Sequence, residues 1–315
     1  MRWFLIKNKV ILDNLVVVFS MFLWALGLPI LDIQQEGWDG FSLYSDRALL
    51  AGLTMLGLAY FSRPVFFRRK EVLTSFFLGI FGYGLASLLL VIGIGYAGAV
   101  TAAIIAALIP VISALLDVIA TRRMIDFRLF IAVILSLVGG LIATLNDQEM
   151  EITLGWGELI LLSSVVLWVL YSRFSLSMLG QAHPVGGYGL TMIAGSVGLL
   201  LATFIAGFFG YELKQDFSFN SVMVVLFLGI FSTGLSVLLW LHGAKRLGVT
   251  TAGLHQNLVP AFVMLIMFIL GEGFQWREGV GGLLVISGAI IAQLRKREST
   301  LKLPKFMVKF LKYGM

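Results

Sequence analysis

The chain has 315 residues, of which 59% are hydrophobic and only 13% charged, with a net charge of +6 and a mean hydropathy of +0.97. Soluble domains carry charge at about a quarter of their positions, so most of this surface must face something other than water. There is no cysteine, which excludes disulfides, thiolate metal sites and thiol catalysis. The three histidines, His183, His242 and His255, lack metal-ligand spacing, so neither a metal nor another cofactor is expected.

Crossing ~30 Å of hydrocarbon takes about 20 apolar residues at ~1.5 Å each. Ten runs meet that length: 12–31, 43–61, 72–94, 97–119, 127–145, 155–176, 187–209, 220–243, 248–270 and 276–294. The expected fold is an all-α integral membrane protein. The first run follows Arg2, Lys7 and Lys9 as a signal peptide would. It ends at Pro29-Ile30-Leu31 without a small-residue cleavage pattern and reads as a retained helix.

At the outer mouth of the second run, Asp46-Arg47 reads as a helix-terminal pair, with an ion pair gating entry as its alternative. Between the third and fourth runs, Gly93-Ile94-Gly95-Tyr96-Ala97-Gly98 matches a dinucleotide fingerprint with Asp117 beyond it. An apolar helix rather than a strand precedes it, so that reading is rejected, and Gly93 and Gly98 are taken as turn glycines. In the fourth run, Pro110 has no amide hydrogen and denies the Ala106 carbonyl its helical partner. Asp117 has Thr121, Arg122 and Arg123 within reach, which predicts local pairing, with coupling-ion chemistry as its alternative use.

Ser164, Trp168 and Tyr171 share one face of the sixth helix. In the ninth, Pro260 denies the Gln256 carbonyl its partner. At ~100° per residue, Gln256 and Asn257 flank the face of Pro260, while His255 points nearly opposite. Beyond the last run, Lys305, Lys309 and Lys312 alternate with Phe306, Phe310, Leu311 and Tyr313 at helical spacing, a pattern suited to an anionic lipid surface.

With the N-terminus inside, twenty of the 23 Lys and Arg residues fall on the cytoplasmic side; Arg47, Lys214 and Arg277 remain outside. The basic charge is therefore an orientation signal, and no nucleic-acid partner is expected. Laid over itself at an offset of 150, the chain aligns LGIFGYGLASLLLVIG (78–93) with LGIFSTGLSVLLWLHG (228–243), and Pro110 with Pro260. Earlier in the chain, at a slightly smaller offset, Ser20 and Leu23-Trp24 fall on Ser164 and Leu167-Trp168. Five helices are thus repeated, and because five is odd the second set must run inverted.

The expected organisation is two inverted five-helix repeats with both termini cytoplasmic. Residues 1–11 form a cytoplasmic N-terminus, 12–145 the first repeat, 146–154 an outer linker, 155–294 the second repeat and 295–315 a basic tail. Inverted repeats are a recurring transporter plan, because rocking one half against the other exposes an interfacial site to alternate sides.

Leu23-Trp24, Asp46-Arg47-Ala48-Leu49-Leu50, Leu78-Gly79, the segment GAKRLGVTTAGLHQNLVP (243–260), Leu270-Gly271-Glu272 and Gly288 together resemble the ten-helix EamA-type members of the drug/metabolite transporter superfamily. The resemblance covers residues 12–294. It implies a ten-helix bundle with a central cavity, moving amino acids, other metabolites or drugs across a bacterial inner membrane. Arg122 departs from the family, which often has glutamate there.

Polar groups at membrane depth are costly unless used or paired. Gln256, Asn257 and His255 are accordingly candidate substrate contacts, with His255 also a candidate for coupling. Trp24 and Trp168 are candidate cavity walls because the repeat pairs them, and Tyr171, Tyr83 and Trp240 join them. Pro110 and Pro260 are candidate hinges. The expected activity is secondary transport of a small neutral or zwitterionic solute such as an amino acid, with export preferred; a sugar, nucleotide-sugar or drug carrier is the alternative. No paired carboxylates or nucleophile with a base suggests an enzyme, and no deep unpaired charge is expected in the cavity.

In this cysteine-free chain, single cysteines at Glu149 and Lys245 should label from opposite faces of sealed vesicles with a membrane-impermeant maleimide. Labelling of both from one face would overturn the inverted arrangement.

Overall fold

A computed structural model describes residues 2–34, 37–62, 67–106, 108–109, 112–113, 115–116, 119, 125–144, 155–179, 184–269 and 276–293. The linker 146–154, the tail 295–315, Pro110 and Asp117 lie outside the described residues. Among those described, every regular element is helical. They are α1 (Arg2–Gln34), α2 (Gly40–Ser62), α3 (Arg69–Phe77), α4 (Leu85–Ala106), α5 (Phe127–Thr144), α6 (Trp156–Met178), α7 (Pro184–Phe208), α8 (Phe219–Phe227), α9 (Ser236–Leu247), α10 (Val249–Leu254), α11 (Val259–Ile269) and α12 (Trp276–Gln293). A π-helical segment, Leu78–Gly84, joins α3 to α4; a second, Leu228–Leu235, joins α8 to α9; and a 3-10 turn, His255–Leu258, joins α10 to α11.

Among the described residues, five helical stretches are long and apolar enough to cross a membrane: Val10–Gly27, Arg69–Ala97, Trp156–Met178, Val185–Phe208 and Phe219–Leu247. Shorter apolar helices cover Phe127–Gly139 and Gly279–Gly288. The distribution of side chains is the reverse of a water-soluble fold. Phe61, Phe204, Phe208 and Phe209 stand exposed, while Ser20, Ser45, Ser136, Thr191 and Ser232 are fully buried. Small polar residues inside and large apolar residues outside are what a lipid surround selects. This is a multi-pass integral membrane protein.

The packing repeats across the two halves. Helix α1 lies against the second π segment and α9, and α6 lies in the same way against the first π segment and α4. Helices α2 and α7 pack on each other, as do α5 and α12. Ser20 Oγ donates to the Ser236 carbonyl at 2.8 Å, and Ser164 Oγ donates to the Ala86 carbonyl at 2.7 Å. Both the donors and the acceptors are repeat partners, so one hydrogen bond is made twice.

Gly93 and Gly243 occupy another such pair of positions, and their role differs from the expected one. A Cβ on Gly93 would fall 2.6 Å from Leu161 Cγ, and one on Gly243 would collide with Val17. Both are sites of close helix approach rather than turns. Gly98 lies inside α4, whereas Gly248, with φ of 92°, does separate α9 from α10. The expected break at 95–96 falls inside α4, and the chain reverses between Ala97 and Ser113. Ala86 lies beside Ser164 and Ala97 beside Gly157, but Ser113 has returned to Arg173, whose Nη2 donates to its carbonyl at 2.6 Å.

A reciprocal backbone approach joins α2 to α7. A Cβ on Gly52 would lie 2.7 Å from the Gly189 carbonyl oxygen, and one on Gly189 would lie 3.0 Å from that of Gly52. The π segments lie on these helices. Gly79 and Gly84 back onto α7 at Thr191 and Gly195, while Gly229 and Gly234 back onto α2 at Leu50 and Ala51. A π turn inserts an extra residue into the helical repeat, which redirects the side chains that follow. Gly189→Leu should therefore lower the thermal midpoint in detergent, since overpacking costs about 1–3 kcal/mol. Gly57→Leu, where a Cβ meets nothing within 4 Å, should leave it unchanged.

Candidate functional site

At one end of the bundle, Asp39 caps α2 and holds a crossing segment in place. Its Oδ1 accepts the Ser42 amide hydrogen at 3.0 Å, its Oδ2 accepts that of Lys214 at 3.2 Å, and its own amide donates to the Lys214 carbonyl at 2.9 Å. Trp38 Nε1 donates to the Asp216 carbonyl at 3.1 Å, and Phe41 meets the Tyr211 ring edge-on. Residues 209–218 are thus fastened over the start of α2. A cleft of ≈ 440 Å³ opens there, lined among others by Asp39, Tyr44, Val91, Ile94, Tyr211 and Lys214. Burial and the nearby Asp39 carboxylate raise the Tyr211 phenol above its ordinary range, so it stays protonated in the cleft wall.

One turn of α2 below Tyr44, the Arg47 side chain lies 4% exposed. Its Cζ is 5.0 Å from the centroid of the Tyr44 ring, and its Nε donates to Thr233 Oγ1 of the second π segment at 3.1 Å. It is also within electrostatic reach of Tyr83. One terminal nitrogen, Nη1, is buried without a hydrogen-bond partner among the described residues. The expectation of an exposed ion pair with Asp46 is therefore corrected, as is that of a cavity without deep charge. The second π segment lies on α2, and 209–218 closes over its start, so this turn of the helix is interior.

Beyond Arg47, four of the sequence-predicted aromatic residues meet. Tyr83, from the first π segment, has its ring centroid 6.2 Å from Trp168 and 5.8 Å from Tyr171, both on α6. Trp168 lies 5.7 Å from Tyr171 and 5.9 Å from Trp240 on α9. Thr191 commits its hydroxyl hydrogen to the Tyr188 carbonyl at 2.7 Å, so Tyr171 is the donor in the 2.9 Å contact between their hydroxyls. The indole nitrogens of Trp168 and Trp240 are buried without a partner among the described residues. Trp24 is half-buried against the same core. From cleft to centre the order is Tyr44, Arg47, Tyr83, then Trp168 with Tyr171, then Trp240.

The remaining candidates form a second group. The 3-10 turn His255–Leu258 borders α1, α5 and α12. His255 is buried, with Nδ1 3.0 Å from the Thr251 carbonyl. Asn257 is buried with Nδ2 unpartnered, and Gln256 Oε1 is buried and unpartnered as well, among the described residues. Two expectations change here. The turn is 3-10, so residues step by about 120° rather than 100°. The Gln256 carbonyl is not orphaned, because the Val259 amide donates to it. The tighter turn is how the chain accommodates Pro260 at the head of α11.

Such a site can stack a ring or apolar chain on aromatic faces and supply indole N–H, phenol and guanidinium donors. Among the described residues no three His, Asp or Glu side chains group as metal ligands. Sequence reading singled out Arg47 with Asp46 as a helix-terminal or gating pair but not as a buried donor beside the aromatic group, since its only signal was two adjacent opposite charges near the end of an apolar run. Asn257→Leu removes an unpartnered amide, so the thermal midpoint should hold or rise, while solute movement should fall at least about tenfold. Unchanged movement would remove Asn257 from the site.

The sequence profile of the EamA-like transporter family matches residues 12–145 and 155–293. The uncharacterized transporter YyaM of Bacillus subtilis strain 168 is 26% identical over 253 residues, covering 76% of this chain and 78% of that one. YdfC of the same organism, also named an uncharacterized transporter, is 24% identical over 87% of this chain and 88% of its own. The uncharacterized inner membrane transporter YicL of Salmonella typhimurium is 23% identical over 80% and 84%. A solved crystal structure superposes with a TM-score of 0.76 at 18% identity, covering 90% of this chain and 96% of the other, which speaks for the fold.

Proposed function

Because the chain belongs to the EamA-like transporter family, we propose that it is a secondary transporter moving a small metabolite by alternating access through a central cavity enclosed by two inverted halves, 12–145 and 155–294. In this reading ten spans cross the plasma membrane, both termini are cytoplasmic, and the cleft beside Asp39 and Lys214 is the outer mouth. The observation that carries the reading is the doubled hydrogen bond, Ser20 to Ser236 and Ser164 to Ala86. Helices of one half are docked on the other in two equivalent ways, with aromatic and polar side chains between them, as a site at a repeat interface requires.

Amino acids or similar zwitterions are the preferred substrates and export the preferred direction. Trp168 and Trp240 would stack the side chain, Tyr83 and Tyr171 would fix its orientation, and Trp24 would close the opposite wall. The turn holding His255, Gln256 and Asn257 would bend about Pro260, with Pro110 as its counterpart. Asp117 and His255 are the groups to test for proton coupling.

Counterflow in proteoliposomes preloaded with amino acids, sugars, nucleosides or cationic drugs tests this. Accelerated exchange of at least one solute class is expected. Folded protein that exchanges none of them would overturn the transporter mechanism, and exchange of sugars alone would replace the amino-acid reading with a sugar carrier.

A further inference from the structure

A buried arginine with one nitrogen hydrogen-bonded and another bare is an incomplete arrangement. An ionised side chain in a low-dielectric interior is strongly unfavourable unless an anion or a set of acceptors completes it, and intramembrane charges pair or line pathways. Arg47 is partly completed: Thr233 accepts from Nε at 3.1 Å and the Tyr44 ring lies under its plane. Two carboxylates line the cleft, Asp39 and Glu212; Asp39 is committed to the amides of Ser42 and Lys214. Among the described residues no carboxylate pairs with Arg47.

We propose that Arg47 binds the carboxylate of the transported solute at the floor of the cleft, and that Tyr44 is the ring that must turn aside to admit it. This rests on the transporter reading and deepens it by assigning the group that recognises the substrate's charge. Thr233 anchors Nε, which leaves the terminal nitrogens to face a planar acceptor as a fork. One guanidinium balances one carboxylate; a phosphate group, with its second charge, would call for another buried cation beside it. Tyr44 both lines the cleft and stacks on Arg47, so the solute reaches the guanidinium by passing that ring. The body of the solute then extends toward Tyr83, Trp168 and Tyr171. Thr233 sits in the second half of the chain and Arg47 in the first, so a carboxylate held there touches the boundary between them.

The test uses matched probes on the full-length protein: leucine, leucinamide and isoamylamine, and phenylalanine, phenylalaninamide and phenethylamine. Thermal-shift titration in detergent and counterflow in proteoliposomes are both read. At least one amino acid should bind at least about tenfold more tightly than its amide and amine, and Arg47→Gln should abolish that preference. Arg47→Lys, which keeps charge but loses the fork, should fold and weaken binding while preserving carboxylate over amide. Thr233→Val should weaken binding of the amino acid with the preference intact.

Equal binding of acid and amide by the wild type overturns the proposal, as does a carboxylate preference that survives in Arg47→Gln. If Arg47→Gln does not fold, the wild-type pairs and Arg47→Lys still decide, and amino-acid binding as tight in folded Arg47→Lys as in the wild type overturns the guanidinium fork as anchor. Counterflow of sugars or amines without any carboxylate preference would overturn this inference and leave the transporter reading standing, whereas absence of counterflow for every class would overturn both.

Discussion

Lipid tails are as apolar as leucine, so helices in a bilayer gain little by hiding leucines from their surroundings and must cohere by close backbone approach and by polar contacts between them. Here that constraint is met first where α2 crosses α7, with Gly52 and Gly189 each seated against the other's carbonyl. The rest of the interior follows from this contact. Each π segment is laid against one member of the pair by its own glycines, and each therefore projects its following side chains toward the centre: Tyr83 from the first, Thr233 from the second. Ser45 adds hydrogen bonds to the backbone and hydroxyl of Ser196 across the same crossing. The polar groups of the interior are thus spent on holding helices together, and those left over are few.

Among the side chains with a buried polar atom left unpartnered, Arg47, Gln256 and Asn257 lie where the two halves cease to match. Arg47 on α2 occupies the repeat position of Thr191 on α7, and Thr233 that of Tyr83. One half contributes a guanidinium and a phenol, the other two hydroxyls, so a pseudo-symmetric scaffold encloses a chemically one-sided centre. The 3-10 turn departs from symmetry in another way, since His255, Gln256 and Asn257 stand where the first half has Ile105, Ala106 and Ala107.

Much of this architecture was legible in the sequence because it is written in patterns longer than one turn. Apolar runs, the offset of 150 and the pairing of Ser20 with Ser164 are of that kind, and the last of these marks a hydrogen bond that both halves make. The aromatic group was legible through the face shared by Trp168 and Tyr171. What escaped is local or depends on contacts distant in sequence. A π turn has no signature in a 3.6-residue pattern, and neither does a 3-10 turn that satisfies the Gln256 carbonyl through Val259. The depth of Arg47 depends on 209–218 folding over the start of α2, and two adjacent opposite charges at the end of an apolar run look the same whether or not such a lid exists. Gly93 differs from the expectation because a glycine that admits a neighbouring helix and one that permits a turn have the same letter; of Gly93 and Gly248, the latter has the positive φ that a turn requires.

The Asp39 contacts bear on how such a molecule could move. They tie the head of α2, from the first half, to the segment leaving α7, in the second, and the glycine crossing binds the same two helices along their length. These helices form a single mechanical unit assembled from both repeats. A rocking motion that respected the sequence boundary would have to tear this unit apart, so the line of least resistance must run elsewhere, dividing the bundle into bodies that each draw on both ends of the chain. Gene duplication and mechanical partition then need not coincide: the duplicated halves describe how the protein arose, and the crossed pair describes what travels together.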